Sequence, residues 1–293
     1  MNERVQPVYL EDKLEEIRED GHLKYRSKSL PTWCPGCGYF SMADALTVAL
    51  NRLGLDNKDV VVVSGIGCAS RFPFFVNTYG FHTLHGRVLP VATGVKIGND
   101  ALTVIAVGGD GDAFAIGAGH LPHAARRNVD MTYLVFDNGI YGLTKGQTSP
   151  TSALGFKTSS TPYQNGDMPV NPLLMLLSYE ATWVGQAYAG RPHHLADMIT
   201  QAIEHKGFSF LRILSPCVTF DKTNNTYVNL GMKVRDLPEG HDRSDRLAAM
   251  ARAMEEDHPA LGVYFEEQRQ TLGEVMQDAI DKAQGMNLAP KGV

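Results

Sequence analysis

The sequence predicts an α/β fold with a central, mostly parallel sheet and helices on both faces. Three observations carry this. Apolar runs of strand length at residues 60–63, 102–107, 131–136, 182–186 and 209–214 are interleaved with stretches whose apolar residues return at helical spacing. The two central runs are apolar almost throughout, as strands buried on both faces are. Each of those two also stops in a polar, glycine-bearing turn, Gly109-Asp110-Gly111-Asp112 after the first and Asp137-Asn138-Gly139 after the second. Residues 102–148 therefore read as a βαβ unit. Its right-handed crossover sets both turns at one sheet edge, the edge where ligands of such sheets sit.

The chain divides into a polar N-terminal arm over residues 1–30, a main domain over 31–218 and a C-terminal helical extension over 219–293. A short amphipathic helix is predicted in the arm at residues 10–18. Trp33-Cys34-Pro35-Gly36-Cys37-Gly38 then opens a helix carrying Met42, Ala45, Leu46, Ala49, Leu50 and Leu53. The strand at 60–63 ends in Gly65-Ile66-Gly67-Cys68-Ala69-Ser70-Arg71. After a polar and aromatic stretch, His85-Gly86-Arg87 leads to a helix predicted over 91–99, just before the central unit. Residues 150–171, rich in Ser, Thr, Pro and Gly, form a loop of about 20 residues, a length typical of lids and binding segments. A helix with Leu195, Met198, Ile199, Ala202 and Ile203 on one face joins the last two strands, and the second of these runs into Ser215-Pro216-Cys217. The chain is then polar to about residue 242, with helices predicted over 244–256 and 272–284. No internal repeat is present.

Asp110 and Asn138 stand 28 positions apart in sequence, and the topology makes them neighbours. Two hard oxygen ligands beside a helix N-terminus suit Mg²⁺, which fills its remaining positions with phosphate oxygens and water. The plainer alternative is a solvated turn with Asp at the helix N-cap. A dinucleotide-binding turn fits poorly, because Phe114 replaces the third glycine of G-x-G-x-x-G. An acid in the turn would also repel a pyrophosphate unless a cation lay between them.

The cysteines are Cys34, Cys37, Cys68 and Cys217. Free thiols packed as small hydrophobes are one reading. A thioredoxin-like motif would follow an apolar strand, which is lacking before Trp33, and a zinc ribbon would carry a second Cys-x-x-Cys. An iron-sulfur cluster needs four thiolates from any points of the chain, and a helix start and two strand ends could supply them.

Net charge is −5, and no run of Lys or Arg is long enough for a nucleic-acid or membrane surface. No apolar segment is long enough to span a bilayer, and the first residues are charged where a signal peptide is apolar. A cytoplasmic protein is expected.

G-D-G followed after 28 residues by N-x-I-Y resembles the diphosphate-binding motif of thiamine diphosphate enzymes. WCPGCG, GIGC, HGR, GDGD, the run Asn138 to Thr151 and the Pro216-Cys217 pair, taken in that order, closely resemble the β subunit of 2-oxoacid:ferredoxin oxidoreductases, most of all the 2-oxoglutarate type. The resemblance implies a thiamine diphosphate-binding fold of the diphosphate type. It implies one [4Fe-4S] cluster on Cys34, Cys37, Cys68 and Cys217, and Mg²⁺ on Asp110, Asn138 and the Ile140 carbonyl. Cofactor contacts would come from Ile66, Gly67, Cys68, Ala69, His85, Gly111, Asp112, Gly142 and Leu143; His85 taken alone reads equally as a satisfied core histidine. No catalytic acid or base is assigned in this chain, because the family places the aminopyrimidine-binding domain and the coenzyme A contacts on an α subunit. The implied activity is CoA-dependent oxidative decarboxylation of 2-oxoglutarate to succinyl-CoA and CO₂ with reduction of ferredoxin, or its reverse, in a dimer of αβ heterodimers. Alternatives are pyruvate or broad 2-oxoacid specificity, a non-oxidative thiamine decarboxylase, and a non-catalytic iron-sulfur subunit. The second carboxylate of 2-oxoglutarate requires a fixed cation, for which Arg71 and, more weakly, Lys145 are the candidates.

Overall fold

The structure is a computed structural model that describes residues 22–221, 226–255 and 257–286. The helix expected at 10–18 lies outside the described residues. Strands β1 (Val60–Ser64), β2 (Tyr79–His82), β3 (Thr103–Gly109) and β4 (Met131–Asp137) precede a two-stranded ribbon of β5 (Ile140–Tyr141) and β6 (Gln147–Thr148). After these come β7 (Trp183–Tyr188), β8 (Phe208–Leu214), β9 (Arg235–Asp236) and β10 (Ala260–Glu266). Apart from the ribbon they form one sheet in the order β2-β1-β3-β4-β8-β7-β10-β9. All neighbours are parallel except β10, which runs antiparallel to β7.

Alternate residues of β1 feed opposite faces, with Val60 and Val62 in one core and Val61 and Val63 in the other. The first core is covered by helices α1 (Tyr39–Arg52) and α6 (Pro192–Glu204), which pack on each other. The second is covered by α3 (Val88–Gly98), α4 (Leu121–Arg126), α5 (Pro172–Ser178) and α8 (Arg246–Ala253), while α2 (Phe72–Phe75) is a single turn after β1. Helix α1 forms because Met42, Ala45, Leu46, Ala49 and Leu50 make one buried stripe, and it stops at Gly54, whose φ is +63°. Each of the larger side chains Met42, Leu46 and Leu50 contributes about 1.5–3 kcal/mol by its burial. Two helices complete the chain, α7 (Tyr227–Lys233) and α9 (Leu272–Gly285), the latter opened by a capping box of Thr271 and Glu274.

Besides α5 and the short pieces α2, β5, β6 and β9, three elements fall where the sequence reading has none. β2 occupies the polar and aromatic stretch, α7 lies in the stretch read as polar, and β10 joins the main sheet from within the segment read as helical extension. Residues 150–171 are without helix or strand, as expected, and Asn165 pins them by donating to the carbonyls of Ser152 (3.2 Å), Ala153 (3.1 Å) and Asp167 (3.2 Å). Among the described residues no helix is long and apolar enough to cross a membrane.

Register matters most for function. Ser64 pairs with Val107, Gly109 with Phe136, and Asp137 with Leu214, so β3, β4 and β8 end nearly level and β1 stops just short of them at the same edge. The loops bearing Cys68, Asp110, Asn138 and Cys217 therefore leave the sheet side by side.

Candidate cofactor site

At that edge lies a cavity of about 140 Å³ lined by the loop after β1, the turn after β3 and the ribbon after β4. Every expected cofactor contact lines it: Ile66, Gly67, Cys68, Ala69, His85, Gly111, Asp112, Gly142 and Leu143, together with Asp110, Asn138 and Ile140. Larger hollows of about 320 and 300 Å³ surround Lys96 and Asp130 at the opposite strand ends, the wrong edge for a ligand of such a sheet. Enclosed ligand sites usually exceed about 300 Å³, so the cavity at the functional edge is part of a pocket.

The helix that starts at Asp110 winds as a π turn over Asp112–Ile116. Such turns are rare and concentrate at functional sites. Here the two acids flanking Gly111 serve different groups. Asp112 takes backbone N–H donors from Ile66 at 3.0 Å and Gly86 at 2.8 Å on one oxygen, tying the loops after β1 and β2 together. Its other oxygen is buried and has no hydrogen-bond partner. Gly111 must be glycine, because a Cβ would drive into the ring of Tyr141, whose hydroxyl donates to the Gly111 carbonyl at 3.0 Å.

Asp110 faces the other way and is 2% exposed. It accepts from Ser149 and, at 2.9 Å, from Thr151, both delivered by the start of the long loop. The Thr151 hydroxyl also stands 2.7 Å from Asp137, so one proton serves two carboxylates. Asp137 is gripped by both Nε (2.7 Å) and Nη2 (2.6 Å) of Arg212. Burial, reinforced by Asp137, pushes the Asp110 carboxyl well above the usual carboxylate range. The Arg212 guanidinium pairs with Asp137, and a cation beside Asp110 would balance the second buried carboxylate. The Oδ1 of Asn138 accepts from the N–H of Ile140 at 3.0 Å while its Nδ2 reaches the Tyr39 hydroxyl at 3.3 Å. This donor set of carboxylate, amide and carbonyl oxygens suits a hard divalent cation.

All four cysteines are free thiols. A Cβ added to Gly142 would touch the sulfurs of Cys68 at 3.6 Å and Cys217 at 3.8 Å, so the ribbon passes against them without a side chain between. Burial pushes the Cys37 thiol up to about 11, with Cys68, Cys217 and Cys34 adding repulsion. Burial and Cys217 push Cys68 up to about 11 as well, and the Arg71 guanidinium partly offsets this. The four are thus near enough to repel one another as thiolates, yet no three His, Cys, Asp or Glu side chains among the described residues are drawn together as ligands of a single ion.

Arg71 and Lys145 do not line the cavity. The Arg71 Nη1 donates to the Thr32 hydroxyl at 2.7 Å, and Lys145 is exposed on a left-handed residue with φ of +77°. Tyr39, Tyr141 and Thr144 line the cavity, and Ser149, Thr151, Asp137 and Arg212 support it; none was expected. For Arg212 a signal existed, a lone charge within the apolar run of β8.

Residues 65–213 match the family model described as thiamine pyrophosphate enzyme, C-terminal TPP binding domain. Residues 217–281 match a second model, which describes the C-terminal part of the pyruvate ferredoxin oxidoreductase β chain. The β subunit of a 2-oxoacid:ferredoxin oxidoreductase from Saccharolobus solfataricus is 49% identical over 191 residues, 64% of this chain and 63% of that one. A 2-oxoacid:ferredoxin oxidoreductase 1 β subunit of Aeropyrum pernix is 41% identical over 245 residues, covering 80% and 77%. Among solved structures, a 2-oxoglutarate:ferredoxin oxidoreductase from Magnetococcus marinus with 2-oxoglutarate, coenzyme A and succinyl-CoA bound superposes with a TM-score of 0.89, at 44% identity over 93% of this chain and 92% of that one. The chain belongs to the family of 2-oxoacid:ferredoxin oxidoreductase β subunits.

Proposed function

We propose that this chain is the β subunit of a cytoplasmic 2-oxoglutarate:ferredoxin oxidoreductase. The enzyme would convert 2-oxoglutarate and coenzyme A to succinyl-CoA and CO₂ while reducing ferredoxin, or run the reductive carboxylation in reverse. The observation that carries this reading is that the buried Asp110–Asn138 turn lines one cavity with Cys68, whose thiol stands within electrostatic reach of Cys34, Cys37 and Cys217. The likeness to the Magnetococcus enzyme over nearly the whole chain supports 2-oxoglutarate as the substrate.

In this reading thiamine diphosphate supplies the electron sink for decarboxylation and a [4Fe-4S] cluster removes electrons singly. Asp110, Asn138 and the Ile140 carbonyl would hold Mg²⁺ against the diphosphate. Ser149 and Thr151 fix the Asp110 carboxylate, and Arg212 pairs with the neighbouring Asp137. Cys34, Cys37, Cys68 and Cys217 would hold the cluster. His85, oriented by Asp112, borders the cofactor together with Ile66, Gly67, Ala69, Gly111, Gly142 and Leu143. Arg71 would exchange its Thr32 hydroxyl for the distal carboxylate of the substrate, with Lys145 as the lesser candidate. The small cavity agrees with a pocket completed by an α subunit in a dimer of αβ heterodimers, with ferredoxin as external acceptor.

The test is anaerobic purification with the α subunit, then analysis of iron, sulfide, thiamine and magnesium and assay with 2-oxoglutarate and pyruvate. Four iron and four sulfide per chain with preference for 2-oxoglutarate is expected. Stoichiometric zinc without sulfide would overturn the reading.

A further inference from the structure

Tyr39 sits where the cysteine loop meets the diphosphate turn. It is 2% exposed, two residues after Cys37, and its backbone N–H donates to that thiol. Its ring is wedged between Trp33, at 5.8 Å between centroids, and Phe136, at 5.2 Å. Nothing in that apolar packing needs a hydroxyl, and phenylalanine would fill the same space. The hydroxyl nevertheless reaches 3.3 Å from the Asn138 Nδ2, while the Ile140 N–H holds Oδ1 at the other end of the amide.

An asparagine amide offers an acceptor on one side and a donor on the other, so its use as a cation ligand depends on which way it is turned. With Nδ2 satisfied by Tyr39, the flipped amide would set its NH₂ against the Ile140 N–H and leave two donors facing. We propose that Tyr39 is a positioning residue that locks the Asn138 amide with its oxygen toward the cation and fastens this ligand to the cysteine loop. The inference rests on the assignment of Mg²⁺ to Asp110 and Asn138.

The test uses the assembled enzyme and follows thiamine diphosphate binding by protein fluorescence while Mg²⁺ is titrated. Tyr39→Phe should raise the Mg²⁺ concentration for half-saturation about tenfold, the scale of one buried hydrogen bond to a neutral group. Iron and sulfide content should be unchanged. In an Asn138→Asp background the ligand has two equivalent oxygens and no orientation to lock, so adding Tyr39→Phe should move half-saturation less than about twofold. A wild-type Mg²⁺ dependence in Tyr39→Phe, or an equal shift in the Asn138→Asp background, overturns the role of Tyr39. Asp110→Ala tests the underlying assignment separately: wild-type Mg²⁺ dependence in that variant would remove the cation site itself.

Discussion

The Nδ1 of His85 lies 2.6 Å from the buried Oδ1 of Asp112, 27 residues further along the chain. A carboxylate can only accept, so Nδ1 carries the proton and the ring turns its other nitrogen away from Asp112. Asp112→Ala would free the imidazole and leave the Ile66 and Gly86 amides without their acceptor. A loss of about 2–4 kcal/mol in denaturant unfolding is expected, with thiamine diphosphate affinity falling at least tenfold by calorimetry. Wild-type values for both would refute the role given to Asp112.

Replacing any one of Cys34, Cys37, Cys68 or Cys217 by serine should abolish ferredoxin reduction and lower iron and sulfide content. Thiamine diphosphate binding, which depends on Asp110 and Asn138, should survive in the Cys34, Cys37 and Cys217 variants. Retention of full ferredoxin reduction in any one of the four variants would remove that cysteine from the cluster.

For Arg71→Ala, kcat/KM for 2-oxoglutarate should fall by the equivalent of about 2–4 kcal/mol, with little change for pyruvate. Equal losses for both acids would instead assign Arg71 to the Cys68 loop, where its bond to Thr32 and its charge beside Cys68 already place it.

Acid stability is expected to depend on Asp130. Burial acts to raise its pKa, but hydrogen bonds from Lys96 (the 2.9 Å pair) and Lys206 (3.0 Å) outweigh that, and the carboxyl lies below its ordinary value. A depressed folded-state pKa gives stability that is complete above the unfolded value, about 3.9, and is lost as pH falls through the depressed one. Asp130→Asn should flatten this acid limb. It should also cost about 2–4 kcal/mol at neutral pH, because Lys96, only 6% exposed, loses its nearest carboxylate. Denaturation midpoints between pH 2 and pH 7 would check both.

Strands buried on both faces were legible because their apolar runs have no other explanation; β3 and β4 lie within two residues of the predicted bounds. β2 escaped because all four of its residues are exposed, and β10 because a bulge between Val263 and Phe265 breaks its alternation. The cavity lining could be read from glycine and acid at strand ends, where topology alone brings distant residues together. Its support could not. Ser149 and Thr151 reach Asp110 across 39 and 41 residues from a loop with no periodicity, and only packing decides where a hydroxyl on such a loop points. The position of Arg71 was readable, but not the direction of its long side chain.

The antiparallel pairing of β10 with β7 also sets a timetable for synthesis. Once β8 has emerged, β7 has a partner on one side only, and its outer edge stays open until β10 follows about 50 residues later. At ordinary translation rates that gap lasts roughly 3–10 s. For that interval a fully buried strand presents an unpaired, apolar edge to a crowded cell, the kind of edge on which another chain can pair.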